Sequence, residues 1–132
     1  MARSRAPTFD AQRDGILERA ADLFAEHGFH GASMASIAEA SGVSKPLLYH
    51  YYRDKSHLLF DIADRYMDRL LGLVEEVKGR GLGPEDSFRA LVRAFMEAYE
   101  HAQSRHRVLV QDVKFLEEDD RARIVARQRQ VV

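Results

Sequence analysis

The stretch SMASIAEASGVSKPLLYHYYRDK, residues 33–55, contains two short helical patterns joined at Gly42. Ser33 and Ser44 precede the two patterns, and serine is a favoured N-cap because its side-chain oxygen accepts a hydrogen bond from the first turn. Pro46 falls in the first turn of the second helix, where its missing N–H costs nothing. Two short helices joined by a tight glycine turn predict a helix-turn-helix.

The second of these helices carries polar and aromatic side chains where a buried helix would carry aliphatic ones. A helix that enters the major groove of DNA presents its N-terminal residues to base edges and its flanks to phosphates. Lys45 can donate to guanine O6 and N7, while Pro46 and Leu47 offer apolar surface to a thymine methyl group. Hydroxyl and ammonium groups nearby can reach the phosphates. The predicted phosphate contacts are Ser33, Ser44, Tyr49, Tyr51 and Lys55.

A structural role competes with DNA contact for each of these side chains. The three tyrosines could close an edge of the core, and a single lysine is more often only solvated. Leu48 and Tyr52 lie four residues apart on one helix face, which predicts that both are core residues. Tyr49 lies on another face and is predicted to point into the groove.

The remainder of the chain also shows helical periodicity, and no run of alternating β-branched residues predicts a sheet. The fold class is therefore predicted to be all-α. The clearest break is GRGLGP, residues 79–84, which suits a linker. Residues 1–8 are predicted to form a flexible arm. Five further helices are predicted over residues 10–27, 54–77, 84–102 and 104–116 and from residue 119 onward.

Composition narrows the class of protein. The chain has 132 residues, no cysteine and a formal net charge of −1, so a disulfide framework is excluded. No apolar run approaches the roughly 20 residues of a membrane span, and no signal peptide is evident, which predicts a cytoplasmic protein without a membrane partner. Charge is uneven locally: Lys45, Arg53 and Lys55 against Asp54 give a net of +2 over residues 44–55.

The sequence of residues 16–59 resembles the DNA-binding domain of the TetR/AcrR (tetracycline-repressor-like) transcriptional regulators. The resemblance covers about a third of the chain. Pro46 departs from the glycine that many members carry. The residues that carry the resemblance are Ile16, Leu17, Ala20, Ala21, Leu23, Phe24, Gly28, Ser33, Ile37, Ala38, Gly42, Val43, Ser44, Leu48, Tyr49, Tyr51, Tyr52, Lys55, Leu58 and Leu59.

The resemblance implies a DNA-binding domain over residues 9–55, with its motif at 33–52, and a helical ligand-binding domain over residues 56–132. It implies a homodimer that binds a palindromic operator in double-stranded DNA. A small apolar effector of unknown identity would release the operator, as in a repressor. Family members continue into two further dimerisation helices, so residues 56–132 are expected to be incomplete. The expected pocket residues are Tyr66, Phe95, Met96 and Tyr99.

Two other classes of protein stay open. One is an interaction module that pairs with a full-length regulator and does not itself bind DNA tightly. The other is a helical metal enzyme built on Glu97, His101 and His106, although a catalytic metal site needs three ligands and a supporting shell. No serine–histidine–acid pattern or phosphate-binding loop is present. The prediction is therefore a regulator that is not an enzyme and needs no cofactor or metal.

Overall fold

Seven α-helices and one short 3₁₀ turn make up the computed structural model, which describes the backbone of residues 5–131 and the side chains of residues 11–131. No strand occurs within this range, so the predicted all-α class is confirmed. The helices are α1 (Arg5–Gly31), α2 (Met34–Ser41), α3 (Lys45–Tyr51), α4 (Lys55–Gly79), α5 (Pro84–His101), α6 (Gln103–Gln111) and α7 (Glu118–Val131), and the 3₁₀ turn is Val113–Phe115.

The first helix is longer than predicted. It begins at Arg5, so residues 5–8 of the predicted arm are helical, because a proline in the first helical turn is tolerated. Residues 1–4 of that arm lie outside the described residues. Gly28 interrupts the helix with φ 78° and ψ 165°, a conformation that glycine adopts without steric cost. The stop predicted at Gly28 is therefore confirmed as a kink, with a short continuation to Gly31.

The helix-turn-helix forms where it was predicted, because local capping fixes both of its helices. Ser33 and Ser36 make a capping box in which the Ser36 N–H donates to Ser33 Oγ and the Ser33 N–H donates to Ser36 Oγ, both at 3.0 Å. Ser44 Oγ accepts from the Leu47 N–H at 3.2 Å. Gly42 adopts φ 70° between the helices, the left-handed conformation of a helix C-terminus.

One hydrophobic core connects the first four helices with α6 and α7. Leu48 is 0% exposed and Tyr52 is 3% exposed, so their predicted core role is confirmed. The boundary predicted between residues 55 and 56 falls in the first turn of α4, and the core continues across it. The division into two domains stays a prediction.

Within residues 5–131, no helix combines the length and the apolar character needed to cross a bilayer.

The region after α5 departs from the predicted single helix over residues 104–116. The helix α6 ends at Gln111, and the 3₁₀ turn at Val113–Phe115 follows it. This turn places the Phe115 ring parallel to that of Phe29, with 5.1 Å between the ring centroids, and buries Leu116. These long-range contacts outweigh local helix propensity, which is why the sequence pattern did not reveal the break.

Candidate nucleic-acid interface

The helix α3 presents two pairs of side chains to solvent. Lys45 and Tyr49 are four residues apart, as are Pro46 and His50, and all four are exposed. Tyr49 keeps 46% of its surface exposed, and Leu47 is half-buried beside this face. Lys45 makes no hydrogen bond or ion pair to another described residue. The predicted base-contacting residues therefore lie together on one accessible surface, which we call the α3 outer face.

The opposite side of α3 is buried, and its C-cap residue Tyr52 bonds to α4. Leu48 is completely buried, and the Tyr52 hydroxyl donates to Asp61 Oδ2 at 2.5 Å. Asp61 also accepts from Arg65 Nε through its other oxygen, at 3.0 Å. Burial, followed by the hydrogen bond to Asp61, raises the pKa of Tyr52 well above its ordinary value, so the phenol remains a neutral donor. The C-terminal end of α3 is thus connected to the second turn of α4 by this hydrogen bond.

The two capping serines differ in whether the hydroxyl hydrogen is available to donate to a phosphate. The Ser33 hydroxyl donates to Ser36 Oγ at 3.1 Å and also accepts the Ser36 N–H, so both of its functions are used within the cap. The Ser44 oxygen accepts the Leu47 N–H, which leaves the Ser44 hydroxyl hydrogen to donate elsewhere. The geometry favours Ser44 over Ser33 as a phosphate contact, and both contacts stay predictions.

Two of the predicted phosphate contacts are engaged inside the protein. The Tyr51 hydroxyl donates to Gln12 Oε1 of α1 at 2.9 Å, and the ring is half-buried. Lys55 Nζ donates to the main-chain oxygen of Phe29 at 2.7 Å and lies 4.5 Å from the centroid of the Phe29 ring. Tyr51 and Lys55 therefore also connect elements of the fold, and their phosphate contacts stay predictions. Lysine has three donors, so two remain for a phosphate.

His50, on the α3 outer face, and the exposed Arg53 were not predicted from the sequence as DNA contacts. His50 is exposed in the last turn of α3, and its four-residue spacing from Pro46 could have identified it. Arg53 is exposed, and its guanidinium lies 3.3 Å from Asp54 and 3.5 Å from Glu117. No local pattern indicates the contact with Glu117, because the two residues are far apart in sequence.

Asp54 caps α4 and makes its stability depend on pH. Its carboxylate accepts the His57 N–H at 2.9 Å, and this hydrogen bond lowers the pKa of Asp54 below its ordinary value. The stabilisation is therefore complete above the unfolded-state pKa, near 4, and is lost as the pH falls through the folded-state pKa. We expect Asp54→Ala to cost about 1 kcal/mol in free energy of unfolding at neutral pH and less below pH 4, by chemical denaturation.

The matched control for this prediction is Asp54→Asn, which keeps an oxygen acceptor at the cap but does not titrate. It should retain most of the stability at neutral pH. A cost for Asp54→Ala that stayed the same from pH 7 to pH 3 would contradict the proposed role of the carboxylate charge.

An apolar cavity of about 240 Å³ lies between α4, α5, α6 and α7. Three of the four predicted pocket residues, Tyr66, Phe95 and Tyr99, line this cavity. Met96 does not: its side chain is on the outer surface of α5 and is 58% exposed, because it points away from α4. The other lining residues are Met67, Leu70, His106, Leu109, Val110, Gln128 and Val131.

The histidines and acids proposed for a metal enzyme do not converge in the described part of the chain. Among residues whose side chains are described, no group of three or more His, Cys, Asp or Glu could hold a metal ion. His101 bonds to the main-chain oxygen of Glu97 on its own helix, through Nδ1 at 2.9 Å. His106 Nδ1 lies 3.3 Å from the Tyr66 hydroxyl, at the edge of the apolar cavity.

Comparison with family models agrees with this architecture. The model described as bacterial regulatory proteins of the tetR family matches residues 16–62, which contain the helix-turn-helix. The model described as the tetracyclin repressor-like C-terminal domain matches residues 81–132. Both matches point to one family of regulators.

Individual relatives give the same result. The chain is 31% identical over 103 residues to the HTH-type transcriptional activator FasR of Mycolicibacterium smegmatis, covering 78% of this chain and 47% of that protein. It is 31% identical over 110 residues to the HTH-type transcriptional repressor KstR2 of Rhodococcus jostii, covering 83% and 54%. The chain thus spans about half the length of these curated relatives.

Solved structures share the fold. The crystal structure of a TetR-family transcriptional regulator from Bordetella parapertussis superposes with a TM-score of 0.85 at 36% identity, covering 90% of this chain and 62% of that one. The TetR-family regulator PfmR of Thermus thermophilus superposes with a TM-score of 0.81 at 28% identity, covering 88% and 63%.

Proposed function

The chain belongs to the TetR family of bacterial regulatory proteins, and on this premise we propose that it is a transcriptional regulator that binds double-stranded DNA in a sequence-specific manner. The observation that carries the proposal is the α3 outer face. Its accessible Lys45, Pro46 and Tyr49 stand opposite the buried Leu48 and Tyr52, so α3 is held firmly while its outer face is free to enter a major groove.

Different residues would set affinity and specificity. Lys45, Pro46 and Leu47 would contact base edges, which carry the sequence information in the major groove. Contacts to the sugar–phosphate backbone fix the position of a protein on DNA without selecting a sequence. These contacts would come from Ser33, Ser44, Tyr49, Tyr51 and Lys55.

The proposed active form is a homodimer on a palindromic operator. Two α3 helices would enter successive major grooves about 34–36 Å apart. A small, mainly apolar effector in the cavity beside Tyr66 and Phe95 would release the operator, as expected of a repressor. The curated relatives include an activator and a repressor, and the release mechanism is our proposal for this chain.

Selection of bound sequences from a random DNA pool at two salt concentrations tests this function. A recovered palindrome with half-sites one helical turn or more apart would support a DNA-binding dimer. Recovery of nothing above the salt-sensitive background would contradict sequence-specific binding by this chain, since non-specific binding rests on phosphate contacts alone.

A second candidate function rests on α5. This helix exposes Phe88, Val92 and Met96, with Phe88 68% exposed. Such a patch is typical of a surface that binds another protein. The chain would then be an interaction module that pairs with a full-length regulator. A stable monomer in sedimentation, together with failure of the DNA selection, would favour this alternative over the homodimer.

Lys55 is expected to contribute to both folding and DNA binding. Replacement by alanine removes the bond to the Phe29 carbonyl, and we expect a loss of about 1–3 kcal/mol in free energy of unfolding. It should also weaken binding to all sequences alike and reduce the slope of log affinity against log salt by about one. Lys78→Ala, at the exposed far end of α4, is the control. An unchanged salt slope in Lys55→Ala would leave Lys55 with a structural role only.

A further inference from the structure

Three arginine side chains line a crevice of about 190 Å³ at the junction of α1, α4 and α6, which we call the arginine crevice. Arg65 and Arg69 come from α4, and Arg105 comes from the start of α6. Asp14 of α1 is the one carboxylate among the described residues that line the crevice. The residues that line the crevice thus carry more positive than negative charge.

Carboxylates outside the crevice pair with two of these arginines. Arg65 donates to Asp61 at 3.0 Å. Arg105 has only a long contact with Glu18, at 3.9 Å. Arg69 makes no hydrogen bond or ion pair to another residue whose side chain is described. A planar guanidinium presents five N–H donors and is suited to carboxylate and phosphate oxygens, so Arg69 and Arg105 keep donors that an anion could use.

The arginine crevice shares a wall with the apolar cavity. Tyr66 lines both, and its hydroxyl meets His106 Nδ1 at 3.3 Å. His106 lines the apolar cavity and directly follows Arg105 in sequence. A charged recess and an apolar recess therefore meet at one tyrosine. A ligand with an apolar body and one anionic end would match this combination, because each part would meet its complementary environment.

We propose that the arginine crevice binds the anionic end of the effector, a carboxylate or a phosphate, while the apolar body of the same molecule occupies the cavity on the other side of Tyr66. This inference rests on the proposed function, since it names the chemical class of the effector as an amphipathic anion. Arg69 and Arg105 are the residues that bind the charge, and Tyr66 separates the two parts of the site.

Two side-chain contacts connect the arginine crevice with the end of α3. Arg65 holds one oxygen of Asp61, and the Tyr52 hydroxyl donates to the other. An anion that engages Arg65 competes with Asp61 for the guanidinium, and Asp61 is the partner that fixes Tyr52 at the end of α3. The effector would thus act on α3 through two side-chain contacts, Arg65–Asp61 and Asp61–Tyr52.

Isothermal titration of the full chain with decanoate, decyl phosphate and decanol tests the inference without DNA. The three molecules share the apolar chain and differ in the charged end. We expect at least one of the two anions to bind about tenfold more tightly than decanol, the range typical of hydrogen bonds to charged groups. The comparison between decanoate and decyl phosphate identifies which anion the crevice prefers.

Substitutions of arginines test which residues bind the anionic end. Arg69→Met and the double variant Arg69→Met/Arg105→Met should lose the preference for the anion while they still bind decanol. Arg93→Met, on the exposed surface of α5 and outside the crevice, should keep the preference. Equal affinity of the original chain for decanol and both anions would overturn the inference. An equal loss of anion preference in Arg93→Met and Arg69→Met would overturn it as well.

These outcomes are separable from the proposed function. Anion preference that depends on Arg69, without release of selected DNA, would support the crevice and contradict the effector-release mechanism. DNA release by decanol and the anions at equal concentration would support release and overturn the crevice.

Discussion

Leu48→Ala is expected to lower the free energy of unfolding by about 2–5 kcal/mol, the range found when a large aliphatic side chain is removed from a well-packed core. Leu48 is 0% exposed and is the buried residue of α3, a helix of 7 residues. Such a short helix is not stable in isolation, so its position depends on tertiary packing. Because whole domains are stable by only about 5–15 kcal/mol, this loss should displace α3 and abolish DNA binding.

The measurement is urea denaturation followed by circular dichroism, with a binding assay on the selected DNA. Leu47→Ala is the matched control for the denaturation only, since it removes the same atoms from a neighbouring half-buried position on α3. Leu48→Met should cost less than about 1.5 kcal/mol because it nearly conserves volume. If Leu47→Ala destabilised the protein as much as Leu48→Ala, α3 would not be anchored as the structure indicates.

The helix α4 connects α3 with the apolar cavity. Its first turns carry Asp61, which holds Tyr52, and the next turn carries Tyr66, which lines the cavity. A ligand that shifts α4 at Tyr66 would therefore also move the partner of α3. This arrangement gives the proposed release of DNA a mechanical basis, because a ligand acts only through contacts that differ between two states.

Sequence alone was sufficient for features that depend on local chemistry. The caps at Ser33 and Ser44, the turn at Gly42 and the starts of α4 and α5 were all predicted within a residue. Each depends on side-chain or main-chain geometry within a few positions, and such rules hold whatever the rest of the fold does. The face of α3 that is buried also followed from the spacing of Leu48 and Tyr52.

Features that depend on distant contacts were not predictable in the same way. The end of α6 at Gln111 reflects the packing of Phe115 on Phe29, and the engagement of Lys55 depends on the kink after Gly28. The arginine crevice also brings together residues from three helices, so no spacing in the sequence indicates it. Only the folded chain shows which polar side chains have partners and which remain accessible.

Lys45→Ala is expected to reduce discrimination at one base position of the operator by about 1–3 kcal/mol, the contribution of one good contact to a base edge. Lys45 is in the first turn of α3, exposed, and makes no hydrogen bond or ion pair to another described residue. Its removal should therefore leave the free energy of unfolding within about 0.5 kcal/mol of the original value. The loss would appear only in binding to DNA.

Competition binding against a set of operators, each changed at one base pair, measures this effect. Lys45→Ala should bind the best sequence less tightly and should lose its preference at the position that Lys45 contacts, while preferences elsewhere persist. Lys55→Ala provides the contrast, because loss of a phosphate contact weakens binding to every sequence by the same factor. If Lys45→Ala weakened all sequences equally, Lys45 would be a phosphate contact, and base recognition would pass to Pro46, Leu47 and the added candidate His50 on the α3 outer face.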